Sequence, residues 1–130
     1  MLDKMIQIQV KIDALYKKLE IEIKTKKLLE ELGFPMQEKG CVYLIFAVKT
    51  AIKKAFQPLL YENLAQIYKI TGEEVENEIE LVITKWWQRA KLLRLNGNGN
   101  ALFDLFSKNK PTNEAFIVWL ADMVKGRREK

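Results

Sequence analysis

Between Glu73 and Arg94, Val75, Ile79, Val82, Ile83 and Trp86 recur at i, i+4, i+7, i+8 and i+11. That spacing lays one apolar stripe along a helix and cannot line one face of a strand, whose side chains alternate every second residue. The rest of the chain repeats the pattern. Met5, Ile8, Ile12, Leu15 and Leu19 step by three and four as a helical seam, although Ile6, Ile8, Val10 and Ile12 also alternate. Lys and Glu fill the gaps and no turn residue interrupts, so the helix is preferred there. A second helix over roughly 22–32 ends at Gly33 with Pro35 beyond it, the usual order of a C-terminal stop.

After Gly40, CVYLIFAV runs into KTAIKKAF, longer than an ordinary strand. It reads as a central helix buried on most sides and closed by Pro58. Leu60, Leu64, Ile67 and Tyr68 mark a short helix, followed by a turn at Thr71-Gly72. Asn96–Asn100 reads as a loop, Ala101–Phe106 as a short helical turn, and the tail GRREK as a frayed polar end. Over Glu114–Lys125, Phe116, Leu120, Met123 and Val124 define a last apolar face, with Thr112 or Asn113 as N-cap. The expected fold is all-α: a compact multi-helix domain over 22–130 with an N-terminal helical extension at 1–21.

Composition narrows the chemistry. The 130 residues hold no histidine and one cysteine, Cys41, so His-based catalysis, His-ligated zinc, an internal disulfide and multi-Cys metal sites are excluded. A lone cysteine suits a reducing cytoplasm. No apolar run approaches the ~18 residues of a membrane span, and the first 20 residues mix lysines and acids as no signal peptide does. NGNGN at 96–100 lacks the following helix and lysine of a phosphate-binding loop. The expectation is a binding protein with no cofactor and no metal, not an enzyme.

Charge carries more information than its total. The net is +5, yet residues 71–80 (TGEEVENEIE) hold five glutamates and no base. Those ten residues stand at −5, and the other 120 at +10.

The unit at 60–94, short helix, turn and long helix, has the form of a helix–turn–helix, with Ala65 small where the helices cross and Val75 buried ten residues on. Around it, LLEELGFPMQEKGCVYL (28–44), LYENLAQIYKITGEEVENEI (60–79), Trp87 with Arg89, LF at 105–106 and KPTNEAFIVWLADMV (110–124) follow in order. Over about residues 22–125 the chain resembles the C-terminal DNA-binding effector domain of the sporulation-initiation response regulator of endospore-forming bacteria. The resemblance implies a six-helix domain whose helix–turn–helix reads the major groove, with bound dimers in tandem on promoter DNA. Residues 1–21 fall outside it, and 130 residues leave no room for the phosphoacceptor receiver domain that normally precedes it.

One departure from the family matters. Where the family presents arginines near the start of its second helix, this sequence has Glu74, Asn77 and Glu80, with Glu73, Glu76 and Glu78 around them. Affinity for a duplex comes largely from cations that release counterions. Five carboxylates would be repelled there, although Asn77 can still pair with adenine. The expected DNA contacts are therefore Asn77 with Lys85, Arg89, Lys91, Arg94, Lys108 and Lys110. The other reading places a basic protein partner against Glu74, Glu78 and Leu81. Leu81 lies opposite the Val75/Ile79/Trp86 stripe as an apolar centre with a charged rim. That partner would be another DNA-binding protein, the sporulation regulator itself included. Glutamates at a helix start also favour the macrodipole, which accounts for one or two of the five. Trp86, Trp87 and Trp119 are expected in the core. The seam at 1–21 has two readings, packing back onto the domain or pairing two copies, and the homodimer is preferred because the domain is complete without the seam.

Overall fold

The structure, a computed structural model, describes residues 2–95 and 109–129. Five helices occupy them: α1 (Leu2–Leu32), α2 (Lys39–Lys54), α3 (Leu59–Tyr68), α4 (Gly72–Leu95) and α5 (Asn113–Glu129). There is no strand among the described residues. The loop and the short helical turn expected at 96–100 and 101–106 lie outside them.

α2 is the centre: it packs against each of the other four helices. Cys41, Leu44, Ala47 and Val48 are fully enclosed between them. Each such burial contributes ~1.5–3 kcal/mol for a Leu- or Val-sized side chain. Gly40 lets α4 cross α2 closely, since a Cβ there would stand 2.8 Å from Val82 Cγ1 and overlap the Glu78 carbonyl. An aromatic cluster closes the other side. Phe34 stacks on Trp86 at 5.4 Å, Trp86 meets Phe116 at 5.1 Å, and Phe116 meets Trp119 at 5.6 Å. The α1–α2 connection, α4 and α5 are joined through it, so the three tryptophans belong to the packing as the sequence suggests.

The helix ends follow local chemistry. Gly33 at φ 86° terminates α1, with Phe34 N–H donating to Leu29 O and Gly33 N–H to Glu30 O, both at 3.0 Å. These two bonds are the 6→1 and 5→2 pair of a Schellman stop. Thr112 caps α5, its hydroxyl accepting from Ala115 N–H at 3.1 Å. α5 then runs through Glu129, so the tail expected to fray is helical to that residue.

α1 differs from the expectation. The helices anticipated before and after residue 21 are one continuous helix, because Leu19 to Lys24 offers no breaker and Lys24 pairs with Glu20 at 3.0 Å across the junction. Its C-terminal part is held by buried Thr25, Leu28 and Leu29 and by a 2.6 Å ion pair from Lys49 of α2 to Glu22. Its described side chains from Leu2 to Lys17 are all exposed.

Between α2 and α3, Ala55 sits at φ 64°, ψ 166°. Only glycine occupies that region without a steric cost of order 1–3 kcal/mol. Ala55→Gly is therefore expected to stabilise the fold by about 1 kcal/mol and to raise Tm by about 4 °C in calorimetry. An unchanged or lower Tm would show that Ala55 carries no such strain.

Candidate nucleic-acid interface on α4

α3 and α4 form the helix–turn–helix. Leu60, Leu64 and Ala65 of α3 are buried with Val75 and Ile79 of α4. The turn lies earlier than the Thr71-Gly72 expected from sequence. Lys69 takes the left-handed conformation (φ 57°) and Ile70 N–H donates to Ala65 O at 3.0 Å. Gly72 is already helical, and Thr71 is its cap, with Oγ1 accepting from Glu74 N–H at 3.1 Å. Thr71-x-x-Glu74 has the residue spacing of a capping box, which gives Glu74 a structural role beside any contact it makes. Ile67, one of the apolar residues that mark this helix in the sequence, is 66% exposed. Its neighbour Tyr68 takes the inward place, 4.9 Å from the Tyr43 ring.

The stripe Val75, Ile79, Val82, Ile83 and Trp86 is buried, and Trp87 and Ala90 widen it. The opposite face carries the charge. Glu73, Glu74, Glu76, Asn77 and Glu80 are exposed, and none of these glutamates forms an ion pair among the described residues. Leu81 stands among them, 43% exposed. Leu92, three turns on at 3.6 residues per turn, is 59% exposed on the same side, as its spacing of eleven from Leu81 dictates. Glu78, grouped from sequence with Glu74 and Leu81, is half-buried, on the side where α4 crosses Gly40.

The cations fall on two flanks of that face. On one, Lys85 Nζ pairs with Glu38 at 2.5 Å, and Arg89 Nη1 reaches Gly33 O at 3.5 Å, both on the α1–α2 connection. On the other, Lys110 Nζ donates to Thr84 Oγ1 at 3.0 Å, and Lys91 is exposed two turns beyond Thr84. Asn77, Leu81 and Gln88 form the ridge between them. The Arg94 side chain and the whole of Lys108 lie outside the described residues. Three partners were missed from sequence: Glu38, Thr84 and the Gly33 carbonyl. All are distant in the chain, and nothing local to them signals the contact.

Beside the second flank, Glu76, Glu80 and Glu114 open onto a cleft with Lys110 and Tyr61. Asn113 Nδ2 donates to Glu76 O at 3.0 Å and ties α5 to α4 there. Burial pushes the Tyr61 hydroxyl up, Glu76 and Glu114 add to that, and a hydrogen bond with Asn113 opposes it. Cys41 is enclosed, its Sγ 3.2 Å from Pro35 O, and burial with nearby Glu38 raises its thiol to about 11. Among the described residues no group of three or more acids or cysteines could hold a metal, and no helix is long and apolar enough to cross a membrane.

The family described as Sporulation initiation factor Spo0A C terminal matches residues 25–124. The match covers α2, α3 and α4 whole, the last turns of α1 and most of α5. Domains of that family are generally DNA-binding transcription regulators of sporulation and not enzymes. With most of its length matched and the helix–turn–helix in its place, the chain belongs to the Spo0A C-terminal family of sporulation initiation factors.

Proposed function

We propose that this chain is a DNA-binding transcription regulator of the sporulation-effector type that meets the duplex with the C-terminal half of α4 and its flanks. One observation carries the reading. Lys85 and Arg89 on one side, and Lys91 and Lys110 on the other, straddle the exposed ridge at Gln88, with Asn77 at its N-terminal end. A ridge of that kind suits a major groove ~12 Å wide walled by phosphates. Arg94 and Lys108 extend the same basic set in sequence. The glutamates at the start of α4 are then kept at the groove's rim. Residues 1–21 act as a dimerising extension of the domain at 22–130, and no cofactor is required. Titrating a labelled family-type promoter duplex at low ionic strength tests the reading; absence of salt-sensitive binding at micromolar protein overturns it.

A second reading is favoured by Leu81, which is apolar, exposed and set among Glu74, Asn77 and Glu80, with exposed Leu92 three turns further along α4. Such a face fits a basic protein partner, a DNA-binding protein whose own cations the glutamates would engage, with Glu74, Glu78 and Leu81 as its contacts. Leu81→Arg is expected to weaken that complex by more than tenfold, the loss typical of an apolar centre inside a charged rim. Thermal stability should be unchanged, because Leu81 contributes little to the core. Equal capture of the purified sporulation regulator by wild type and variant would dismiss this reading.

A further inference from the structure

Among the described residues, nothing packs on the N-terminal half of α1. Met5, Ile8, Ile12 and Leu15 are exposed along it, and Leu19 is half-buried at its base. The side of α1 that faces the domain is fixed by Thr25, Leu28 and Leu29. Carried back at ~100° per residue, that side passes over Ala14 and Gln7, and the Met5–Leu19 seam lies roughly 130° away from it. The seam is therefore no continuation of the intramolecular contact. Instead it runs through exposed Ile23 to an apolar groove where Leu19 and Ile23 meet Val42, Ile45 and Phe46 of α2.

Two properties of the seam identify its occupant. Its spacing is heptad, with Met5, Ile12 and Leu19 at a positions and Ile8 and Leu15 at d. With Leu2, Tyr16, Ile23 and Val42 beside it, the exposed apolar surface is on the order of 800 Å², about what each partner of a stable interface buries. The flanks then choose an orientation. The g positions are Lys4, Lys11 and Lys18, and the e positions are Gln9, Tyr16 and Ile23. In an antiparallel pair g faces g, and lysine would oppose lysine along the seam. In a parallel pair g faces e, and every lysine meets an uncharged side chain.

We infer that a second copy of this chain pairs with the first in parallel along Met5–Leu19, in register, as a two-stranded coiled coil. This deepens the dimeric reading given above and rests on it. The pair is two-fold symmetric, and both domains leave the coil from the same end.

Cysteine scanning of the whole chain tests the register. Native Cys41 is enclosed and its thiol is raised to about 11, so an introduced cysteine is the reactive one. Ile8→Cys and Leu15→Cys are each expected to form disulfide-linked dimers under mild oxidation, because equivalent d positions of a parallel pair lie within the ~4.4–6.8 Å Cα separation of a disulfide. Ala14→Cys, on the domain-facing line of α1, is expected to cross-link at least ~10-fold less, since its Cα atoms lie outside that range. Sedimentation equilibrium of the wild-type chain at tens of micromolar should give the mass of two copies. A dimeric mass without homotypic cross-links, or a preference for mixed Met5→Cys and Leu15→Cys pairs, overturns the parallel register and leaves dimerisation standing. A mass of one copy, monomeric adsorption to phosphatidylserine vesicles, or a mass of three or more copies overturns the inference.

Discussion

Raising monovalent salt from 50 to 200 mM is expected to weaken binding of one chain to a single-site duplex by about a thousandfold. The proposed contact set holds six cations: Lys85, Arg89, Lys91, Arg94, Lys108 and Lys110. Each contact contributes ~0.9 to the slope of log affinity against log salt, so the set gives a slope near −5, and a fourfold rise in salt costs ~10³. The structure refines which cations count fully. Lys85 is paired with Glu38 at 2.5 Å, so it approaches the duplex with a carboxylate beside it. Glu38→Gln removes that charge and is expected to tighten binding while steepening the slope by about one unit. Lys91 is exposed and pairs with no acid among the described residues, and Lys91→Ala should flatten the slope by about the same amount. A slope shallower than about −2, or one indifferent to both substitutions, would place the phosphates elsewhere on the molecule.

The glutamates at the start of α4 have two explanations that the structure separates by residue. Thr71 caps the helix through Glu74 N–H, and acids in the first turn complement the macrodipole, which accounts for Glu73 and Glu74. Glu78 is half-buried, against α2. Glu76 and Glu80 have neither justification. They open with Glu114 onto the cleft beside Lys110, where they lower the electrostatic attraction of that lysine for a phosphate. The −5 of residues 71–80 thus has three different origins: the helix start, the side packed on α2, and the cleft beside Lys110. That division makes it compatible with a duplex approached from the C-terminal half of α4.

Periodicity made most of the fold legible. The Val75–Trp86 stripe survives burial unchanged because a helix between two layers keeps its 3.6-residue repeat. Gly33 before Pro35, and Thr112 before α5, are local signals with local causes, and both act where the sequence places them. The departures come from competition that no single segment displays. Ile67 and Tyr68 both suit an inward position, but a ten-residue α3 offers one narrow face, and the rings of Tyr43 and Phe46 decide for Tyr68. Lys69 makes the turn although nothing in a lysine announces a left-handed backbone. The sequence offers the basic residues only as a set. Their division into two flanks depends on Glu38 and Gly33 of the α1–α2 connection and on Thr84 meeting Lys110 across 26 residues.

Gly40→Ala is expected to be the most damaging small substitution in the chain, lowering stability by about 2–3 kcal/mol and Tm by ~8 °C or more. Helix propensity alone would predict the reverse, since alanine gains up to ~1 kcal/mol over glycine in a helix interior. Contact geometry wins because the added Cβ meets backbone: it overlaps the Glu78 carbonyl oxygen and stands 2.9 Å from its carbon, with Val82 Cγ1 at 2.8 Å. α2 and α4 can relieve that only by separating, which opens the layer holding Val82 and Ile79. Gly72→Ala provides the contrast. Its Cβ also overlaps a neighbour, but that neighbour is the end of the Glu62 side chain, which swings aside, so the change should lie within ~0.5 kcal/mol. The two variants also differ in function. Displacing α4 from α2 moves Lys85 and Arg89 relative to Glu38 and Gly33, so Gly40→Ala should weaken DNA binding even where the domain remains folded. Gly72→Ala should leave it intact. Equal Tm values for the two would mean that α4 does not rest on α2 through Gly40, and the placement of the basic flanks would then need another support.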